Sequence, residues 1–243
     1  MGWERKRGKL TELNHLLLGK GPTSFSPHVV EPTLAPANVR YVLTLDADTR
    51  VPLGVARDLV GIAAHPLNRA VFDPALGRIV RGYGVLQPRI TPLLPTCAER
   101  SLYRTIVTGG SGLDPYAAAV SDLYQDVFNE GLFTGKGLYD VQAFEASLAG
   151  RVPENTLLSH DLLEGLFVRC ALVTDISLFE DFPSHSEVAA SRAHRWTRGD
   201  WQLLPWILGK RGRLPAMGRW KMLDNLRRSI LPPATVALLV ASW

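Results

Sequence analysis

The stretch YVLTLDADTR, residues 41–50, constrains the fold more than any other part of this 243-residue chain. Its first five residues, Tyr41–Leu45, read as a buried strand, since apolar and β-branched residues run together without a helical period. The run ends in two aspartates one residue apart. Asp is a common turn residue, so an ordinary turn is one reading. The other rests on geometry. Residues two apart on an extended chain project to the same side, and two carboxylates aimed at one spot repel unless a cation or donors lie between them. Mg²⁺ and Mn²⁺ accept hard oxygen ligands, and Mg²⁺ typically shares them with substrate phosphates and water. Asp46 and Asp48 are therefore candidate metal ligands in a nucleotide-diphosphate site. The pair alone leaves the turn in contention. A haloacid-dehalogenase-type phosphatase, with Asp-x-Asp-x-Thr/Val after a strand, is a further alternative, though Arg50 stands in the fifth place.

Around this strand the pattern alternates. A short basic helix is expected over residues 1–20, with Leu10, Leu13 and Leu17 on one face and Gly19 as its stop. Residues 21–38 are dense in Pro, Ser and Thr and read as a loop. A helix begun by Pro52 follows. Residues 78–90 read as a second strand beside the first. A helix opens at Asp114-Pro115 and runs through Asn129, closed by Gly131. FTGKGLYDVQAFEASL reads as a loop leading into another helix. A short helix at 160–165 precedes a strand at about 167–174, and a longer helix runs from Ser184 to Leu208, opened by the capping box Ser184-x-x-Glu187. Strands alternating with helices imply an α/β layered domain, whose ligands bind beyond the carboxyl ends of the strands.

Composition narrows the class. Hydrophobic residues make up 46% and charged residues 21%, the balance of a globular domain. Cys97 and Cys170 are too few for a disulfide framework, which points to a reducing compartment. The net charge of +4 is partly concentrated in a basic segment, residues 209–229, that directly precedes the uncharged ILPPATVALLVASW. That order favours the cytoplasmic face of a membrane over nucleic acid. The apolar run of residues 230–243 is shorter than the roughly 20 residues a spanning helix needs, so it is expected to be a transmembrane helix cut short.

Three further stretches carry candidate chemistry. In LSHDLLEG, Asp161 is either the cap of a short helix or a general base able to take a proton from an attacking hydroxyl. His160 and Glu164 lie beside it. In SRAHRWTRGDW, Arg192, Arg195 and Arg198 fall on one helical face. Arginine forks suit phosphate oxygens, and Trp196 offers a ring on which a sugar can stack. The bland reading is a solvated charge stripe with a core tryptophan. Trp201 and Trp206 continue along an apolar helix suited to the membrane interface. FTGKGLYD is no P-loop, because Glu130 occupies the first glycine position and Gly137 follows Lys136 where Ser or Thr is needed.

In order, strand-DAD, a Gly-rich loop, HD and an Arg-Trp helix resemble the processive membrane glycosyltransferases of GT-A fold, the group that includes cellulose synthases. The wording GWERKRGKLTELN, YVLTLDADT, LFTGKGLYDVQAF, LLSHDLLEG and HRWTRGDWQ is similar to the glycosyltransferase region of bacterial cyclic β-1,2-glucan synthases. The resemblance covers nearly the whole chain. It implies a GT-A-like mixed sheet flanked by helices over residues 1–208, truncated at its N-terminus, then the basic juxtamembrane segment and the start of a transmembrane helix. It also implies an inverting glucosyltransferase of the bacterial inner membrane, with its catalytic region on the cytoplasmic face. Glucose would pass from UDP-glucose to a growing, protein-linked β-1,2-glucan chain. Asp161 would be the catalytic base, Asp46 and Asp48 would hold Mg²⁺ or Mn²⁺, and Lys136, Gly137, His160, Glu164, Arg192, Arg195 and Trp196 would bind substrate. Two departures stand out. Arg192 replaces the family's Gln, and the first strand with a base-binding Asp is not found before Asp46. A non-catalytic binding or membrane-docking module is therefore the main alternative.

Overall fold

The computed structural model describes residues 5–20, 24–25, 36–93, 103, 123–181, 183, 185–212 and 214–243. Along the chain run helix α1 (Arg5–Leu18), strands β1 (Tyr41–Thr44) and β2 (Thr49–Arg50), helix α2 (Val55–Ala64), and strands β3 (Val71–Asp73), β4 (Arg78–Arg81) and β5 (Val85–Pro92). After them come α3 (Leu123–Phe128), β6 (Gly137–Asp140), α4 (Val141–Leu148), α5 (Asp161–Val168), β7 (Cys170–Glu180), α6 (Ser186–Gln202), α7 (Leu204–Ile207) and α8 (Ala216–Ala241). Among the described residues the architecture is α/β, a mixed five-stranded sheet in the order β1-β6-β5-β7-β2 flanked by helices, with β3 and β4 as a separate hairpin. Strand β6 is antiparallel to both neighbours, while β5 and β7 are parallel. The carboxyl ends of β1, β5 and β7 consequently share one edge.

Strand alternation divides the core between the two faces. Leu86 pairs with Leu138 and with Ala171, and all three pack with Leu59 of α2 on one face. Their chain neighbours Val85, Tyr139 and Cys170 turn to the other face, against Val141 and Phe144, with Leu17 and Leu18 of α1 packed on them. A third cluster, with Leu163 and Phe167 of α5, Trp206 of α7 and Met222 of α8, fastens the C-terminal helices to α5.

Several sequence expectations are corrected. The second strand is not beside β1, because Gly137–Asp140, expected as loop, forms β6 between β1 and β5. Residues 78–90 split into β4 and β5 at Gly82, whose backbone is left-handed (φ 62°). Helix α2 starts at Val55 rather than Pro52, after Gly54 with φ 90°. Strand β7 runs to Glu180, beyond the expected end. The long C-terminal helix is interrupted at Leu203, giving α6 and α7. Trp206 is a core residue at 2% exposure rather than an interfacial one, whereas Trp201 is half exposed. Gly19 ends α1 as expected, with φ 65°. Helix α3 ends at Asn129 (φ 57°) rather than Gly131. The Asp114-Pro115 start, most of the 21–38 loop, Cys97 and the Ser184 half of the capping box lie outside the described residues. Residues on either side of the expected boundary at 230 belong to one helix, α8, which carries Pro232 and Pro233 in its interior. Among the described residues, no helix is long and apolar enough to cross a membrane.

Candidate active site

The turn leaving β1 is built by its own side chains. Thr49 N donates to Asp46 O at 3.1 Å, and Asp46 N donates to Thr49 Oγ1 at 3.2 Å. The aspartates therefore sit in a turn, as one reading expected, and their carboxylates nonetheless converge. Convergence comes from the chain reversal, not from the pleat of an extended strand. Thr49 Oγ1 in turn donates to Glu180 Oε1 at 3.2 Å, which brings the end of β7 to the same place. One oxygen each from Asp46, Asp48 and Glu180 lie within 4.8 Å of one another. Hard oxygen donors at that spacing suit Mg²⁺ or Mn²⁺.

These carboxylates are met by three cations. Lys6 Nζ lies 2.7 Å from Asp46 Oδ1 and donates to Gly135 O at 2.7 Å. Lys136 Nζ bridges Asp46 Oδ2, at 3.4 Å, and Glu180. Arg192 Nη2 reaches Asp48 Oδ2 at 3.3 Å. Burial by itself would raise the Asp46 carboxyl, but Lys6 and Lys136 outweigh it and hold it below the ordinary carboxylate range.

The second half of the site is the start of α5. Asp161 is its first helical residue and no cap; the preceding residue, His160, makes no capping bond either. His160 is 7% exposed and its Nδ1 stands 2.9 Å from Glu164 and 3.5 Å from Asp161, charge against charge without an aligned hydrogen bond. Burial opposes its protonation, yet Glu164 and then Asp161 prevail and push its pKa up to about 9. Asp161 shifts the opposite way from Asp46. Desolvation raises its carboxyl, His160 pulls it back, and the nearby Glu164 carboxylate adds to the rise. A carboxylate so raised is a better proton acceptor. Gly135, with φ 85°, lets the preceding loop pass directly over Asp161, since a Cβ there would stand 2.6 Å from Asp161 Oδ1. Gly199 does the same for α6, which touches Ser159 where a Cβ would stand only 2.6 Å away. Gln202 Oε1 accepts from Leu158 N at 2.7 Å and ties that loop to the helix.

A cavity of about 490 Å³ gathers these groups. Of the residues expected from sequence, Asp46, Asp48, Lys136, His160, Asp161, Arg192, Arg195 and Trp196 line it. Arg192 also lies over the Trp196 ring at 5.8 Å. Glu164 stands behind it, buried at 3% exposure as the partner of His160. Gly137 does not line it; the glycine lets β6 press onto β5, where a Cβ would stand 2.2 Å from Leu86 O. Arg198 is exposed on α6, and Arg50, on β2, points to Asp181 at 3.5 Å. Sequence reasoning missed Glu180 and Lys6. The signal for Glu180 was its place at the carboxyl end of a strand parallel to β1. For Lys6 there was only a basic helix without a partner.

Comparison with known proteins gives the same direction. No protein-family model matches the chain. Over all 243 residues it is 56% identical to a segment of the cyclic beta-(1,2)-glucan synthase NdvB of Rhizobium meliloti strain 1021. The chain spans 8% of that protein's length.

Proposed function

Starting from a chain similar along its whole length to a segment of a cyclic β-(1,2)-glucan synthase, we propose that these residues form the transfer site of an inverting glucosyltransferase. Its donor is UDP-glucose and its acceptor a growing β-1,2-glucan. The observation that carries this reading is the pairing of a carboxylate cluster, Asp46, Asp48 and Glu180, with a second carboxylate, Asp161, in one cavity. Two acidic centres with opposite shifts divide the labour of a displacement: one side receives charge, the other a proton.

Asp46 and Asp48, with Glu180, would hold a Mg²⁺ or Mn²⁺ ion, which would supply Lewis-acid neutralisation of the diphosphate. Lys136, Lys6 and Arg192, already at these carboxylates, offer further positive charge to phosphate oxygens. Asp161 accepts the proton of the acceptor hydroxyl as its oxygen bonds to the anomeric carbon. The bond from that carbon to UDP breaks in the same displacement, UDP leaves with the electron pair, and the configuration inverts. His160, held protonated by Glu164, lies 3.5 Å from Asp161 and its charge offsets part of the cost of burying that carboxylate.

We read the sheet as GT-A-like. Among the described residues β1 has no partner on its outer edge, which suits the base-binding strand that the resemblance implies. The membrane placement is supported by α8, whose exposed Leu231, Val236, Leu238, Leu239 and Val240 follow Arg227 and Arg228. The test is direct. Membranes of bacteria expressing the protein should incorporate label from UDP-glucose into β-1,2-glucan with Mg²⁺ or Mn²⁺, and Asp161→Asn should abolish incorporation. Unchanged incorporation by that variant would remove the base assignment, and no metal-dependent incorporation at all would remove the function.

A further inference from the structure

Lys221 of α8 is buried to 1% exposure, beside the apolar core residues Met222 and Leu226 of the same helix. A buried cation is costly unless hydrogen bonds replace its water. Here they come from the main chain. Lys221 Nζ donates to Glu130 O at 2.8 Å and to Gly131 O at 3.2 Å, and lies 5.0 Å from the centre of the Tyr124 ring. The Glu130 carboxylate meets Arg78 at 2.6 Å, while its carbonyl meets the lysine.

The place so held is the root of the loop that leads to β6. Gly131 N donates to Cys170 O at 2.8 Å, and a Cβ on Gly131 would stand 2.8 Å from Leu172 N, so the chain is pressed onto β7 there. Thr134 donates through N and Oγ1 to Gln87 Oε1, at 2.9 and 3.0 Å. Next come Gly135, whose backbone passes over Asp161, and Lys136, which bridges Asp46 and Glu180. The loop therefore runs from the α8 contact to the carboxylate cluster with a fixed point at Thr134. Glu130 and Gly131 lie outside any helix or strand, where a side chain must supply the bonds a ladder would give. An apolar side chain of similar volume would fill the space of Lys221 without its desolvation cost. What it could not do is grip the backbone.

We propose that Lys221 is a positioning residue that ties α8 to the loop 131–136 and thereby sets how a diphosphate is held at Lys136 and the carboxylate cluster. This rests on the glucosyltransferase reading above and adds a regulatory route to it. Displacement of α8, the helix that reading places at the membrane, shifts the loop that carries Gly135 and Lys136. Lys221 does not line the cavity and takes no part in the bond exchange.

The experiment compares Lys221→Met with Leu59→Val, which weakens the packing of α2 on the sheet. The readouts are amide hydrogen exchange of the nucleotide-free chain and calorimetry with UDP and Mn²⁺. Lys221→Met should speed exchange at the Gly131 and Thr134 amides by about tenfold, the factor one hydrogen bond is worth. It should weaken Mn²⁺-dependent UDP binding by about the same factor. Leu59→Val should lower the urea midpoint yet leave both readouts within about twofold, which separates placement of the loop from general loss of stability. Should Lys221→Met fail to fold, Lys221→Gln keeps a donor on a shorter stem and should move both readouts by about threefold. Unchanged exchange at Gly131 and Thr134, or equal effects in Lys221→Met and Leu59→Val, overturns the tie. Faster exchange with UDP binding unchanged overturns its link to the donor site. Absence of UDP binding in the unaltered chain overturns the transferase reading, and the exchange rates then decide by themselves whether Lys221 holds the loop.

Discussion

Lys6 Nζ stands 2.7 Å from Asp46 Oδ1, so a helix that precedes β1 in the chain supplies a positive charge to the very carboxylate expected to hold a metal. Both partners are about one third exposed, at 31% and 41% of their side chains. The contact competes with a cation for Asp46. An ion pair of this exposure is worth about 0.2–1 kcal/mol. Lys6→Met should therefore tighten Mn²⁺ binding to the nucleotide-free chain by about two- to fivefold, read by calorimetry. Unchanged or weaker Mn²⁺ binding would show that Lys6 does not compete.

Glu180 is the third carboxylate of the cluster and shares Lys136 with Asp46. Removing its charge lowers the number of anionic ligands, which sets divalent affinity. Glu180→Gln should weaken Mn²⁺-dependent UDP binding by about tenfold and leave metal-free UDP binding nearly unchanged. An equal loss in both conditions would assign Glu180 to orienting Lys136 alone.

Gly135 and Gly150 both have left-handed backbones, at φ 85° and φ 70°, but only Gly135 has a neighbour where a Cβ would go. Substitution by Ala at either carries the backbone penalty, about 1–3 kcal/mol. Gly135→Ala adds collision with Asp161, whose Oδ1 would be 2.6 Å from the new atom. Its urea midpoint should fall further than that of Gly150→Ala. Equal shifts would mean that the loop simply moves away from Asp161.

His160 carries a pH signature. Its pKa in the folded chain is raised from 6.5 to about 9, so the stability it contributes is present below about 6.5 and is lost as pH rises through about 9. Asp200, raised from 3.8 to about 6, has the same sign over the lower window and is spent before pH 7. Asp161, also raised by burial, adds a loss of the same sign, so His160→Gln removes only the part of the fall between pH 6.5 and 9.5 that belongs to the imidazole. His160→Gln should flatten the fall in urea-unfolding stability over that interval. Parallel falls in both proteins would remove the ion pair with Glu164 as its source.

Much of this site was legible in the sequence because its parts lie at the ends of recognisable elements. Asp46 and Asp48 follow an apolar strand, Asp161 starts a helix, and Trp196 sits on an amphipathic one. What was hidden depended on long-range pairing. Strand β6 carries only four residues, and its glycine start reads as loop until β1 and β5 are seen to close on it from either side. Glu180 has no local motif and matters only because β7 runs parallel to β5 and ends at the Asp46 edge. Lys6 is one of several basic residues in α1, distinguished by tertiary contact alone. Trp206 shares its surroundings in sequence with Trp201, and only packing against Phe167 and Met222 separates core from surface.

The division between a cation-holding side and a proton-accepting side is tested most directly by titrating UDP-glucose into this chain, Asp48→Asn and Asp161→Asn, each with and without Mn²⁺. The prediction is metal-dependent binding in the unaltered chain, lost by more than about tenfold in Asp48→Asn, where an anionic ligand is gone, and retained within about twofold in Asp161→Asn. Metal-independent binding, or a loss as large in Asp161→Asn as in Asp48→Asn, would contradict it.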